Sequence, residues 1–341
     1  MLDKDSKIYP IIPNDSSYEN EIIEGATVVV PKQSPNYKKI ILGLIIGQVL
    51  SILSVMNGLC SQYLEIKRML MIPLILNSIY YLFLFILWII ITRKVEKPKI
   101  IYIIIAIIDS QANFICVYTF GAVKFEYPFI INFSSSIWSF FMTLIFVKKY
   151  KYRLIHFISV LISLIGVVLT LVGTFKNLSD VSLMFQNVKG LLLCLASSIL
   201  YAITSILQEI YLDKNENIRN YFVWTGGLGT LITFLESFIF SELNILINYT
   251  NYDFWIIFAM ICFGLILMGF ASIAPFYIGK FSAVMFNVGL ASTVFWSYIG
   301  NLILNGDEAN EKNVFYFVGF AIIIIGLVIF YYRDVQIISK K

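Results

Sequence analysis

Ten runs of about twenty apolar residues take up nearly all of the chain beyond residue 38, each long enough to cross a hydrocarbon layer about 30 Å thick. They cover roughly 39–62, 70–92, 100–120, 125–147, 153–174, 189–211, 220–240, 254–278, 281–304 and 313–332. Charge pairs, prolines or Asn/Asp clusters mark most breaks between them. The weakest breaks are at Lys124 and Lys280, so those two connections must be very tight. The chain is 59% hydrophobic and 13% charged, whereas a soluble protein carries about 25% charged residues. A globular surface cannot be built from it. The predicted class is an all-α membrane protein of ten transmembrane helices.

Residues 1–37 are polar and carry Pro10, Pro13, Pro31 and Pro35, which predicts a disordered tail. The tail lacks the apolar core of a signal peptide, so the first membrane helix must direct insertion. Of the 25 Lys and Arg residues, 17 near the membrane fall on the side holding both termini and six on the other. The positive-inside bias therefore predicts cytoplasmic termini. Two N-x-[ST] sequons, at Asn177 and Asn248, fall in non-cytoplasmic loops. The C-terminal Lys340 and Lys341 match a dilysine retrieval signal only inexactly, leaving both plasma membrane and endomembranes open.

An internal repeat organises the spans. Lys124-Phe125 corresponds to Lys280-Phe281, Trp138-Ser139 to Trp296-Ser297, and Gly166 to Gly326, at offsets drifting only from 156 to 160. Five spans per copy is odd, so the second copy inserts upside down, giving an inverted 5+5 repeat with its site at the midplane. The predicted organisation is a tail over 1–37, repeats over 38–185 and 186–335, and a short C-tail over 336–341.

Polar groups at membrane depth are costly, which makes them functional candidates. Asp109 lies near the middle of the third span, where a charged carboxylate costs about 2.5–3.5 kcal/mol. Asn113 follows one turn later on the same face. Asp109 reads as a substrate- or proton-coupling acid, or else as a structural acid paired with the asparagine. In the fourth span Asn132, Ser135, Ser136 and Ser139 form one polar stripe, serving either a solute or close helix packing. Trp138 and Trp296 are repeat-related and read as two walls of one pocket stacking a planar solute, or as core aromatics. Ser292 and Asn287 in the ninth span, Tyr201 and Gln208 in the sixth, and Gln48 in the first complete the candidate binding set. Glu209 reads as snorkelling to the interface and His156 as an interfacial anchor.

With one histidine and four scattered cysteines, the chain has no predicted metal centre, cofactor or catalytic constellation. A net charge of +4, spread along the chain, argues against nucleic acid. An enzyme is disfavoured, as is a channel, since no span carries rings of charge.

The stretches GQVLSILSVMNGLCSQYL (Gly47 to Leu64), IIDSQANFICVYTF (Ile107 to Phe120), YRLIHFISVLISLIGV (Tyr152 to Val167), LLLCLASSILYAITSILQEIYL (Leu191 to Leu212) and SAVMFNVGLAS (Ser282 to Ser292) resemble subfamily F of the solute carrier 35 family. That family lies within the drug/metabolite transporter superfamily of ten-helix inverted-repeat carriers. The resemblance implies transport of a small polar organic solute, with nucleoside-like, nucleobase-like or nucleotide-sugar cargo. Related carriers often end the sixth span with an acidic pair, where this chain has Gln208-Glu209. No Lys or Arg sits at any span centre, which favours a nucleoside- or nucleobase-like solute over a nucleotide-sugar antiporter of endomembranes. A non-transporting membrane receptor or scaffold is the other alternative. Expected partners are the solute and the bilayer, with a homodimer as the candidate assembly.

Overall fold

The computed structural model describes residues 18–23, 26–31, 37–147, 150–151, 154–174, 187–212, 218–305, 314–332 and 336–337. The sequon at Asn177 lies outside them. Two units make up the chain, Met1–Tyr37 and Lys38–Lys341. In the first, the segment read from sequence as a disordered tail, the described residues are two antiparallel strands, Tyr18–Ile23 and Ala26–Pro31.

The second unit is almost wholly helical. Among the described residues nine helices are long and apolar enough to cross a membrane, and Val314–Phe330 is a shorter apolar one. In chain order the spans are Ile41–Lys67, Pro73–Ile91, Ile100–Ala122, Glu126–Phe146, Leu154–Gly173, Val188–Tyr211, Ile218–Ile239, Phe254–Lys280, Ala283–Leu304 and Val314–Tyr332. Each falls within a few residues of a predicted run. The backbone explains why helices are the answer: in lipid, every N–H and C=O must be satisfied within the segment itself. The two connections predicted to be tight contain only Val123–Phe125 and Phe281–Ser282.

The fourth and ninth spans are not continuous helices. The fourth breaks after Asn132, where Ser134 N–H turns back to the Ile131 carbonyl and the Ser136 hydroxyl donates to the Phe133 carbonyl. The ninth breaks at a 3-10 turn over Leu290–Ser292, and the Thr293 hydroxyl donates to the Leu290 carbonyl. Serine and threonine hydroxyls competing for backbone carbonyls loosen a helix at these points.

The spans pack in a defined order. The fifth lies along the tenth, the second along the seventh, and the fourth against the ninth, while the second also meets the eighth and the third meets the seventh. One apolar core gathers side chains of the fourth, fifth, eighth, ninth and tenth spans, and another those of the second, third, seventh and eighth. His156 belongs to the former region. It is fully buried with its ring edge-on to Phe330 at 5.3 Å, so its side chain is packed inside the protein rather than exposed as a surface anchor.

The fifth and tenth spans touch backbone to backbone through small residues, as membrane helices do when lipid offers no hydrophobic drive between them. A Cβ added at Gly319 would lie 2.5 Å from the Thr170 nitrogen, with no flexible side chain able to give way. We predict that Gly319→Leu destabilises the protein by about 1–3 kcal/mol, seen as a lower melting temperature of the purified protein. Gly269→Ala, where an added Cβ meets nothing within 4 Å, should be neutral. Equal melting temperatures for the two variants would refute the packing argument.

Candidate functional site

Eight spans, all but the fifth and tenth, line a cavity of about 150 Å³. Among the described residues Asp109 is the only carboxylate in its wall, and no Lys or Arg lines it. The Tyr81 hydroxyl of the second span donates to Asp109 Oδ2 at 2.6 Å. Asn113, one helical turn along, donates through Nδ2 to the same oxygen at 3.1 Å and to the Asp109 carbonyl at 2.9 Å. Tyr201 of the sixth span closes the chain by donating to Asn113 Oδ1 at 2.9 Å. Three spans are thus joined through one acid, whose other oxygen, Oδ1, has no hydrogen-bond partner among the described residues. An acid so placed can exchange a proton or accept from a donor on a ligand.

A second polar knot lies beside the breaks in the fourth and ninth spans. Asn287 donates through Nδ2 to Ser139 Oγ at 2.8 Å, Ser205 Oγ at 3.0 Å and the Ala283 carbonyl at 2.9 Å. Its Oδ1 accepts from Ser135 Oγ at 2.9 Å. Asn132 accepts from Ser197 Oγ at 2.9 Å and donates to Cys116 Sγ at 3.4 Å. Gln208 donates to the Tyr221 hydroxyl at 2.8 Å. Buried polar groups must be paired in this way because an unmet one costs about 1–3 kcal/mol.

Seven of the eleven residues predicted from sequence meet at this cavity: Asp109, Asn113, Asn132, Ser135, Tyr201, Gln208 and Asn287. Four do not. Gln48 donates to Ser292 Oγ at 2.9 Å and accepts from the Trp296 indole at 3.0 Å, while Ser292 donates to Ser51 at 2.8 Å. That network holds the first span to the ninth, away from the cavity wall. Trp296 packs on the cluster of Val55, Cys116, Phe120, Phe125 and Phe129. Trp138 likewise lies off the wall, so the expectation of two tryptophan walls is corrected: tyrosine and phenylalanine rings take that place. Sequence reasoning missed Ser54, Asn57, Tyr80, Tyr81, Thr204 and Tyr221. Ser54 and Asn57 stand at helical spacing and were legible as a stripe, whereas the tyrosines carry no signal in an aromatic-rich chain that separates a cavity wall from a core.

Aromatic clusters flank the cavity at either end. At the end where the odd-numbered spans begin, the Tyr102 and Tyr211 hydroxyls share a hydrogen bond of 2.5 Å, with Tyr221 beside both rings. At the other, Phe120, Phe125 and Phe129 pack with ring centroids 5.1–6.0 Å apart. Glu209 does not snorkel. It is buried, and its Oε2 accepts the Ala283 N–H at 2.9 Å, capping the ninth span from the sixth. Among the described residues no group of three metal-ligating side chains occurs.

The family model described as SLC35F, Solute carrier family 35, matches residues 36–332. Solute carrier family 35 member F2 of Mus musculus is 25% identical over 310 residues, which is 84% of this chain and 77% of that protein. A solved crystal structure, 12% identical, superposes with a TM-score of 0.56 over 82% of this chain and 96% of its own, a likeness of fold alone. Solute carriers are transporters rather than enzymes, and this chain belongs to solute carrier family 35.

Proposed function

We propose that the protein is a secondary carrier moving a small, polar, planar organic solute, nucleoside- or nucleobase-like, by alternating access. The observation that carries this reading is the cavity wall. It offers one acid, several amides and hydroxyls, and rings from Tyr80, Tyr81, Phe129, Tyr201 and Phe286. Aromatic faces suit a planar solute, and paired amide and hydroxyl groups suit its ring nitrogens and exocyclic groups. A nucleotide sugar brings two phosphates, which call for Lys or Arg, and among the described residues neither lines this wall.

Alternating access needs two halves able to exchange roles, and several features support an inverted repeat. The fourth and ninth spans are both broken and both follow a tight turn. The second packs on the seventh, the fourth on the ninth and the fifth on the tenth. A two-fold axis would map each of these pairs onto itself. The same axis would exchange the contact of the second span with the eighth for that of the seventh with the third. The Lys/Arg bias supports cytoplasmic termini.

Reconstituted in proteoliposomes, the protein should show saturable, counterflow-stimulated uptake of a nucleoside or nucleobase and none of a nucleotide sugar. Uptake of the nucleotide sugar alone would overturn the cargo assignment. Absence of flux for every solute that shifts its melting temperature would favour the receptor reading.

A further inference from the structure

The end of the bundle opposite the Tyr102–Tyr211 pair is closed by a buried carboxylate outside the cavity. Glu242 opens the short helix Glu242–Asn248, which joins the seventh span to the eighth. Ser241 before it adopts a left-handed φ of 59°, turning the chain so that Glu242 points inward. Its side chain is 5% exposed. Oε2 accepts the N–H groups of Leu74 at 2.8 Å and Ile75 at 3.1 Å, in the first turn of the second span. These N–H groups have no partner within their own helix.

The same two connections are tied together twice more at the surface. The Tyr249 hydroxyl donates to the Arg68 carbonyl at 2.9 Å, and the Arg68 guanidinium meets Asp253 at 2.6 Å. The turn between the first and second spans is therefore fastened to the turn between the seventh and eighth. Any opening of this end must part them, and parting them brings water to Glu242.

Among the described residues the charges around Glu242 leave it without a counter-ion. From the first span's last turn comes Glu65, itself buried, hydrogen-bonded to Ser61 and close enough for its charge to be felt. Lys67 on that turn is exposed. Arg68 is engaged by Asp253. From the seventh span, Glu236 binds Gln111 at 2.6 Å. The second span meets it through backbone N–H groups, and its own connection carries Tyr249 and Tyr252.

We propose that Glu242 is a proton-binding site, separate from Asp109, that couples proton uptake to closure of this end of the bundle. The proposal rests on the alternating-access reading above. Burial pushes the carboxyl up from its usual range to about 7 in the closed arrangement, against the opposing pull of the two N–H groups. In the parted arrangement water restores the ordinary value. A raised value in the closed form means that closure takes up a proton between the two values. Closure is thus fully favoured in acid, weakens as pH rises through the window up to about 7, and is constant above it. The closed-to-open ratio should fall by about two orders of magnitude across that window.

The test uses the full chain in lipid nanodiscs, with Cys60, Cys116, Cys194 and Cys262 replaced by alanine. Spin labels go on Met69→Cys and Asn251→Cys, both exposed positions on the two connections. With Glu242 present, the longer inter-label distance should gain population as pH rises from 5 to 8. Glu242→Gln, which keeps an acceptor for the two N–H groups, should stay at the short distance at every pH. An Asp109→Asn background should leave the response intact. A pH-independent distance with Glu242 present would overturn the proposal. So would the same response in Glu242→Gln, or its loss in Asp109→Asn. A missing solute flux alongside an intact label response would instead count against the carrier reading alone.

Discussion

Asp109→Asn is expected to abolish solute uptake driven by a proton gradient while solute exchange at equal pH persists at a reduced rate. The substitution preserves size and leaves Oδ1 as an acceptor, so the Tyr81 and Asn113 contacts, at 2.6 and 3.1 Å in the parent, can re-form around it. What it removes is the ability to lose a proton. An acid at membrane depth that alternates between a proton and a solute donor couples the two by competition in both facing states. An amide cannot alternate, so the gradient loses its purchase on the cycle. We expect gradient-driven accumulation to drop at least about tenfold, a loss of about 1.4 kcal/mol or more of coupling, with counterflow surviving. Tyr81→Phe should reduce solute affinity without removing the pH dependence, since it strips one donor from the carboxylate and leaves the acid. The measurement is labelled-solute uptake by proteoliposomes with and without an imposed pH difference. Full accumulation by Asp109→Asn with unchanged pH dependence would make Asp109 a structural residue.

Asn287→Leu is expected to do the broadest damage of any single cavity substitution. Four hydrogen bonds converge on this side chain, from the fourth, sixth and ninth spans. Leucine fills the volume but leaves the Ser135 and Ser139 hydroxyls facing it without a partner. At about 1–3 kcal/mol for each unmet buried group, the expected loss is about 2–5 kcal/mol. It should appear as a lower melting temperature and as solute affinity weakened more than about tenfold. The effect on binding arises because the knot sits where the fourth and ninth spans break, and it holds those breaks against the sixth. Asn287→Gln, with the same groups on a longer stem, should recover part of the stability. Wild-type melting temperature and affinity in Asn287→Leu would show that the knot does not organise the cavity.

The spans were legible in the chain because bilayer thickness sets a length that apolar runs either meet or miss. Lys124 and Lys280 mark tight turns for the same reason, since a long loop there would carry more polar residues. Helical spacing also identified which face of the third, fourth and sixth spans is polar, which is why Asp109, Asn113, Ser135, Tyr201 and Gln208 were found. Periodicity says that a face is polar but not which helix it meets. Gln48 and Trp138 looked as suitable as Asn113, and only packing turned Gln48 toward Ser292 and Trp296 across 244 and 248 residues of chain. Glu209 and Glu242 could not be assigned from sequence, because their partners are backbone N–H groups at the starts of distant helices. A backbone donor leaves no trace in residue identity. Local period and membrane length are written into the chain one segment at a time. Which polar face meets which is decided by how ten similar helices pack, and that depends on all of them at once.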